Sequence, residues 1–203
     1  MVDFSGQVVL VTGAGRGLGR AYALLLAQRG ATVVVHDAGV GVDGLGTDRA
    51  VADAVAAEIR GAGGQAEPAY EDLGDRAGCR TLVERTLSRL GWIDALVHSA
   101  GLVIRAPLDE LDEEHWRRSQ SVNVDAAFWL AQAVLPTMLE RRYGRIVLTT
   151  SGYGLGPADD VDDLVAYCTA KGAQHGLMNG LAWAAEHGVL VNAFAPVAAT
   201  RIF

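Results

Sequence analysis

Cysteine is scarce. The chain of 203 residues has two, Cys79 and Cys168, with no CxxC pair and no histidine cluster, which excludes a disulfide scaffold and a zinc site, so no metal is expected. Both are expected as buried free thiols. Positive charge is also short: 17 Lys and Arg against 24 Asp and Glu leave a net charge of −7. The basic residues are scattered, which argues against nucleic acid or an anionic membrane surface as a partner. Met1 to Ser5 lacks the basic start of a signal peptide, and no apolar run looks long enough to cross a bilayer. A soluble, cytoplasmic protein is expected. There is no internal repeat and no shift of composition, so residues 1–203 read as a single domain, and half of them are apolar, enough for a real core.

What is present is organised from the N-terminal end. Val8 to Val11 is an unbroken apolar run, the pattern of a strand buried on both faces. Glycines follow, and from Leu18 the apolar residues Ala21, Tyr22, Leu25 and Leu26 take up the spacing of a helix face, with Gly30 placed to end it. In such a strand, turn and helix, glycines let the backbone approach a phosphate, and the helix N-terminus favours the anion. The general GxGxxG fingerprint is absent. Gly13, Gly17 and Gly19 instead give GxxxGxG, preceded by Thr12. A second apolar run, Ala31 to Val35, ends in His36 and Asp37, and Asp37 stands eighteen residues beyond Gly19. A carboxylate there accepts from an adenine-ribose 2′-hydroxyl and repels a 2′-phosphate. Arg16 pulls the other way, since a cation in the turn can approach a 2′-phosphate. The carboxylate is weighed more heavily, and the expected cofactor is NAD.

Further along, Ala38 to Thr47 is a glycine-rich loop, and Asp48 can cap a helix to Ile59 or Arg60. A third strand, Ala66 to Tyr70, precedes a helix from about Arg76 to Leu90, and Ile93 to His98 is a fourth strand. Asp112, Glu113 and Glu114 open a long helix that runs past Asn123, with Pro136 expected to bend it. Ile146 to Thr150 is the fifth strand, Leu164 to Glu186 another helix and Val189 to Phe194 the sixth strand. Strands alternating with helices specify an α/β doubly wound parallel sheet, Rossmann-type, with helices on both faces. Ligands of such sheets lie outside the carboxyl ends of the strands, where Asp37, Asp72, Ser99 to Gly101 and Ser151 fall.

Tyr167 and Lys171 are four apart on a helix and share a face. A phenol titrates near about 10, and a nearby ammonium lowers that value toward the range useful for proton transfer. Alone the pair reads as an exposed helix pair. Ser151 at the mouth of the fifth strand supplies a hydroxyl that can hold a substrate oxygen beside the phenol.

The run Thr12 to Gly19, with Asn123, Ser151, Tyr167-Cys168-Thr169-Ala170-Lys171 and Asn192-Ala193-Phe194-Ala195-Pro196, resembles the short-chain dehydrogenase/reductase family along the whole chain. Val33 to Gly39, Tyr143 to Ile146 and the segment from Ala195 to Arg201 resemble the (3R)-hydroxyacyl-CoA dehydrogenase branch found in peroxisomal multifunctional enzymes of type 2. The resemblance implies an oxidoreductase that moves hydride between nicotinamide and a secondary alcohol or ketone, with a 3-hydroxyacyl thioester as candidate. Tyr167 would be the acid/base, and Lys171 would lower its pKa and hold the nicotinamide ribose. Ser151 would polarise the substrate oxygen, and Asn123 would place a water in a proton relay behind Lys171. Gly13, Gly17 and Gly19 would receive the pyrophosphate, with Thr12, Arg16 and Leu18 also binding the cofactor, Asp37 the adenine ribose, and Asp72 with Leu73 the adenine ring. Ser99, Ala100 and Gly101 would line the cofactor, and Pro196 to Thr200 its carboxamide. A homodimer or homotetramer is implied too.

Four departures stand out. The family's Asn-Asn-Ala-Gly is His98-Ser99-Ala100-Gly101, so the first Asn's hydrogen bonds must be made differently. Its Pro-Gly is Pro196-Val197. Ser151 and Tyr167 stand further apart than the family's spacing, the extra residues falling in the acidic Ala158 to Asp163 stretch. Family members also continue through a substrate lid and a seventh strand, both expected to be missing here because the sequence stops at Phe203. That favours the alternative, a dinucleotide-binding protein without turnover, in a regulatory or assembly role.

Overall fold

The apolar run after Gln7 forms β1 (Val8–Thr12), all five residues buried. The elements that follow are α1 (Gly17–Gln28), β2 (Thr32–His36), α2 (Ala50–Gly61), β3 (Gln65–Ala69), α3 (Arg76–Leu90), β4 (Ala95–His98), α4 (Glu113–Gln120), α5 (Ala126–Glu140), β5 (Gly144–Thr149), α6 (Val165–Ala184) and β6 (Val189–Phe194). This computed structural model describes residues 2–41, 45–156, 161–184 and 188–198. The strands make one sheet in the order β3-β2-β1-β4-β5-β6, every pair parallel. The doubly wound α/β sheet read from the alternation is the fold. Its order reverses between β1 and β4, and the crevice at that switch is where such sheets bind ligands.

Because side chains alternate along a strand, β1 feeds two cores. Val8 and Leu10 join residues of α3 and α5. Val9 and Val11 join Ala23 and Ala27 of α1 and Ala52, Val55 and Ile59 of α2. The small residues of α1 let it lie close on the sheet. Farther along, Leu190 of β6 is half-exposed. Asp75 and Asp112 cap α3 and α4 by accepting from the Gly78 and His115 amides. Asp48 accepts from the amide of Ala50, where α2 begins. Buried Asp94 ties β1 to the start of β4, accepting from the Val8 amide at 2.7 Å and from Arg141 at 3.0 Å.

Three expectations need correction. The long helix is irregular at Ser121–Asp125, a π turn in which the Ala126 amide reaches back to the Ser121 carbonyl; α5 continues through Pro136. Extra residues in a helical turn displace the carbonyl ladder, so the irregularity falls at Asn123. The continuous helix Glu113–Glu140 does meet the length and composition of a membrane span, an 18-residue stretch of it reaching a mean hydropathy of 1.2. Its apolar face, Ala126, Ala127, Leu130, Ala131, Val134 and Met138, is fully buried in the sheet core. Cys79 is buried as expected, but Cys168 is only half-buried, on the solvent side of α6 from Ala170.

Candidate active site

The turn after β1 is built by glycine. Gly13 has φ +65°, and a Cβ there would lie 2.7 Å from Ala100 Cα, so the turn rests directly on the segment leaving β4. A Cβ on Gly19 would run into the Gly13 carbonyl, which seats α1 on the turn. Arg16, the residue before α1, gives no side-chain cap, and the first turn holds no acid. The amides of Gly17, Leu18 and Gly19 therefore present the positive end of α1 to the crevice. That cradle fits a dinucleotide pyrophosphate.

Thr12 and His98 end β1 and β4 in register with each other. The Thr12 hydroxyl accepts from the Ser99 and Ala100 amides, both at 3.2 Å, and lies 3.0 Å from His98 Nδ1. Both its lone pairs are used, so its own proton goes to Nδ1, and His98 carries its ring proton on Nε2. His98, where the resemblance has an Asn, thus joins β4 to β1 through Thr12. Nε2 has no partner of hydrogen-bonding geometry among the described residues. Burial, then the Lys171 ammonium, push the pKa of His98 down to about 3, so the ring is neutral.

Asp37 holds the rim together: Oδ2 accepts from the Gly15 amide at 2.9 Å and Oδ1 from the Gly39 amide at 2.8 Å. Arg16 donates to the Val40 carbonyl on the same loop. The carboxylate and the cation that bear on a 2′-substituent therefore share one edge of the crevice. Asp72 is exposed and accepts from the Gly74 amide, whereas the Leu73 side chain is packed in the core. Anything Leu73 offers an adenine comes from its backbone. Pro196 is half-buried beyond β6, and Thr200 lies outside the described residues.

On the other side of the crevice, the structure gathers Asn123, Ser151, Tyr167 and Lys171. Ser151 precedes a short 3-10 turn, Gly152–Gly154, and accepts from the Tyr153 amide. Gly154 brings this turn against α6 so closely that a Cβ would lie 2.5 Å from the Lys171 carbonyl carbon. Tyr167, buried, hydrogen-bonds to Ser151; burial raises its pKa and the Ser151 bond pulls it back. The expected lowering by Lys171 is not what sets this phenol, because Lys171 Nζ sits 5.6 Å from the ring centroid and is held elsewhere. It donates to the Thr149 carbonyl at 2.8 Å and to Gln174 Oε1 at 3.2 Å. Burial brings the Lys171 pKa down to about 8.

The Asn123 side chain locks the π turn to the loop after β4, donating to the Leu102 and Ser119 carbonyls and accepting from the Leu102 amide. Its backbone carbonyl accepts from Gln174 Nε2 at 2.5 Å. The Gln174 side-chain amide thus bridges the Asn123 backbone carbonyl and Lys171. A Cβ on Gly101 would stand 2.9 Å from Asn123 Oδ1 and 3.6 Å from Lys171 Nζ, which places this cluster at the outlet of β4. His98, Gln174 and Gly154 were not foreseen as site residues. Lys171 had a plainer signal than its spacing: it is the only lysine in the chain.

The family model described as short chain dehydrogenase matches residues 7–201. The chain belongs to this family. It is 39% identical over 201 residues to the peroxisomal multifunctional enzyme type 2 of Drosophila melanogaster, covering 98% of this chain and 32% of that protein. It is 33% identical over 195 residues to a 3-oxoacyl-acyl-carrier-protein reductase of Thermotoga maritima, covering 94% of this chain and 73% of that one. Among solved structures, a metagenomic short-chain oxidoreductase in complex with NADP superposes with a TM-score of 0.86 at 33% identity, over 96% of this chain and 84% of that one. The family's oxidoreductases bind a nicotinamide dinucleotide and act on small molecules, and the crevice built here has the parts for both.

Proposed function

We propose that the chain is an NAD-dependent oxidoreductase of secondary alcohols and ketones, with 3-hydroxyacyl and 3-oxoacyl thioesters as the substrate class. The observation that carries this is the convergence of Tyr167, Ser151 and Lys171 beside the glycine turn, at the switch point of the sheet. Bound in the cradle, a nicotinamide dinucleotide supplies the hydride acceptor or donor. In reduction the neutral Tyr167 phenol gives its proton to the substrate oxygen as hydride arrives; in oxidation its phenolate form, which the Ser151 hydrogen bond favours, takes the alcohol proton, and Ser151 fixes the substrate oxygen beside it. Lys171 holds positive charge behind the phenol. The thioester class is supported by the likeness to the 3-oxoacyl-acyl-carrier-protein reductase of Thermotoga maritima and by the resemblance of Val33 to Gly39 and Tyr143 to Ile146 to the hydroxyacyl-CoA dehydrogenase branch. NAD is supported by Asp37 at the rim. Half-exposed Trp116 and Phe128 on the long helix support self-association through that face into a homodimer or homotetramer, which sedimentation can measure.

The test is titration of the purified protein with NADH and NADPH, followed by turnover on 3-oxoacyl thioesters, ketosteroids and simple ketones. NADH is expected to bind more tightly than NADPH and to be oxidised by the thioesters. Asp37→Ala should weaken both cofactors by loosening the turn and bring their affinities together; an unchanged NADH to NADPH ratio would remove Asp37 from the ribose. Tyr167→Phe should keep NADH binding and lose turnover. Binding without turnover on every substrate would replace the enzyme reading by one of nucleotide binding alone.

A further inference from the structure

Gln174 is fully buried, one turn beyond Lys171 on α6. Its two polar ends are both used, and their order is forced. An ammonium can only donate and a carbonyl can only accept, so Oε1 faces Lys171 and Nε2 faces Asn123. The bond to Asn123 reaches a main-chain carbonyl in the π turn, across 51 residues of sequence. With the Thr149 carbonyl at 2.8 Å, Gln174 completes a two-acceptor seat for a buried cation on three separate elements: the end of β5, α6 and the π turn.

We propose that Gln174 is the positioning residue for Lys171, fixing its ammonium against the π turn and holding it charged beside Tyr167 by a side-chain amide. This rests on the assignment of Lys171 to the proposed active site. Burying an ammonium disfavours its charged form. Two neutral acceptors offset part of that cost, and among the described residues no carboxylate contributes to setting this lysine's pKa. The titratable groups nearby are Tyr167 on the same helix and His98 at the end of β4. At neutral pH neither carries a negative charge, so among the described residues the amide of Gln174 is the side-chain group that meets the buried ammonium.

Because Lys171 is the only lysine, 13Cε-lysine labelling gives a single side-chain signal whose pH titration can be followed without cofactor or substrate. Gln174→Glu should move the midpoint to higher pH by adding an opposite charge, and Gln174→Leu should move it lower by removing an acceptor. Midpoints equal to the parent's in both variants would overturn the proposal, and so would a shift of the same sign in both. If one variant fails to fold, the direction of the other decides. On a substrate found by the panel, Gln174→Leu should lower kcat on the order of tenfold to a hundredfold, with NADH affinity and KM little changed. A parent protein that transfers no hydride would defeat the oxidoreductase reading and leave the titration to judge Gln174 separately.

Discussion

Gly154→Ala isolates the contact that sets the distance between Ser151 and Tyr167. Gly154 does not have a left-handed φ, so alanine meets no backbone strain there, and the whole effect is steric. The new methyl would sit 2.5 Å from the Lys171 carbonyl carbon and closer still to the Gly172 amide nitrogen, where ordinary contact begins at 3.4 Å. Both neighbours are backbone of α6, so the 3-10 turn must retreat by roughly 1 Å, carrying Ser151 with it. A misplacement of that size costs about a hundredfold in rate, or about 2.7 kcal/mol of transition-state stabilisation, while overpacking costs about 1–3 kcal/mol of stability. NADH binding at the glycine turn should be unaffected. Gly152→Ala is the control: a Cβ at Gly152 meets nothing within 4 Å, so its turnover should match the parent's. The assay is kcat/KM for reduction of a 3-oxoacyl thioester, with a urea midpoint for each variant. Parent-like kcat/KM in Gly154→Ala would refute the reasoning.

His98 and Asp94 give two stability tests. His98 titrates near about 3 in the fold against an ordinary value of about 6.5, so between those pH values the unfolded chain binds a proton that the fold does not. Its contribution is complete above the ordinary value and falls away as pH drops toward 3. From pH 7 to pH 5 the loss amounts to about 2 kcal/mol. His98→Asn should be less acid-sensitive by that amount in urea midpoints; buried His36, whose pKa is lowered too, keeps some sensitivity in the variant, and equal slopes would exclude His98 as a source. Asp94→Ala leaves the Val8 amide without its acceptor and should cost about 1–3 kcal/mol. Asp94→Asn, which retains one, should cost less. A urea midpoint for Asp94→Ala equal to the parent's would show that the carboxylate does not hold β1.

The fold was legible because each layer leaves a periodic mark. Val8 to Val11, Ala31 to Val35 and Val189 to Phe194 are mostly apolar runs too short for helices, and Asp48 and Asp112, at helix starts, punctuate the chain between them. Site features escaped where the cause is tertiary. Gln174 reads on a helical wheel as one more polar residue, and only the arrival of the π turn, 51 residues earlier in sequence, turns it inward. The π turn itself has no proline or glycine to announce it, so Pro136 drew the attention instead. Gly154 sits in a loop whose glycines look alike until α6 is seen to touch one of them. The resemblance makes Leu73 a cofactor contact, and its side chain is packed in the core. Lys171 was expected to act on Tyr167 directly, an inference from four-residue spacing that ignores where a long side chain ends.

The central place of β1 governs how the chain can assemble. Its partners on the β4 side, Asp94 for the Val8 amide and His98 for Thr12, are each 86 residues away in sequence. A ribosome must therefore reach the end of β4 before the first strand has both neighbours, and among the described residues every strand pairing is parallel, with no hairpin to start from. Closing so long a loop precedes any reward from the contacts it creates, which makes for slow folding. Until β4 arrives, β1 offers an unpaired edge of four consecutive apolar residues, the segment most in need of shelter during synthesis.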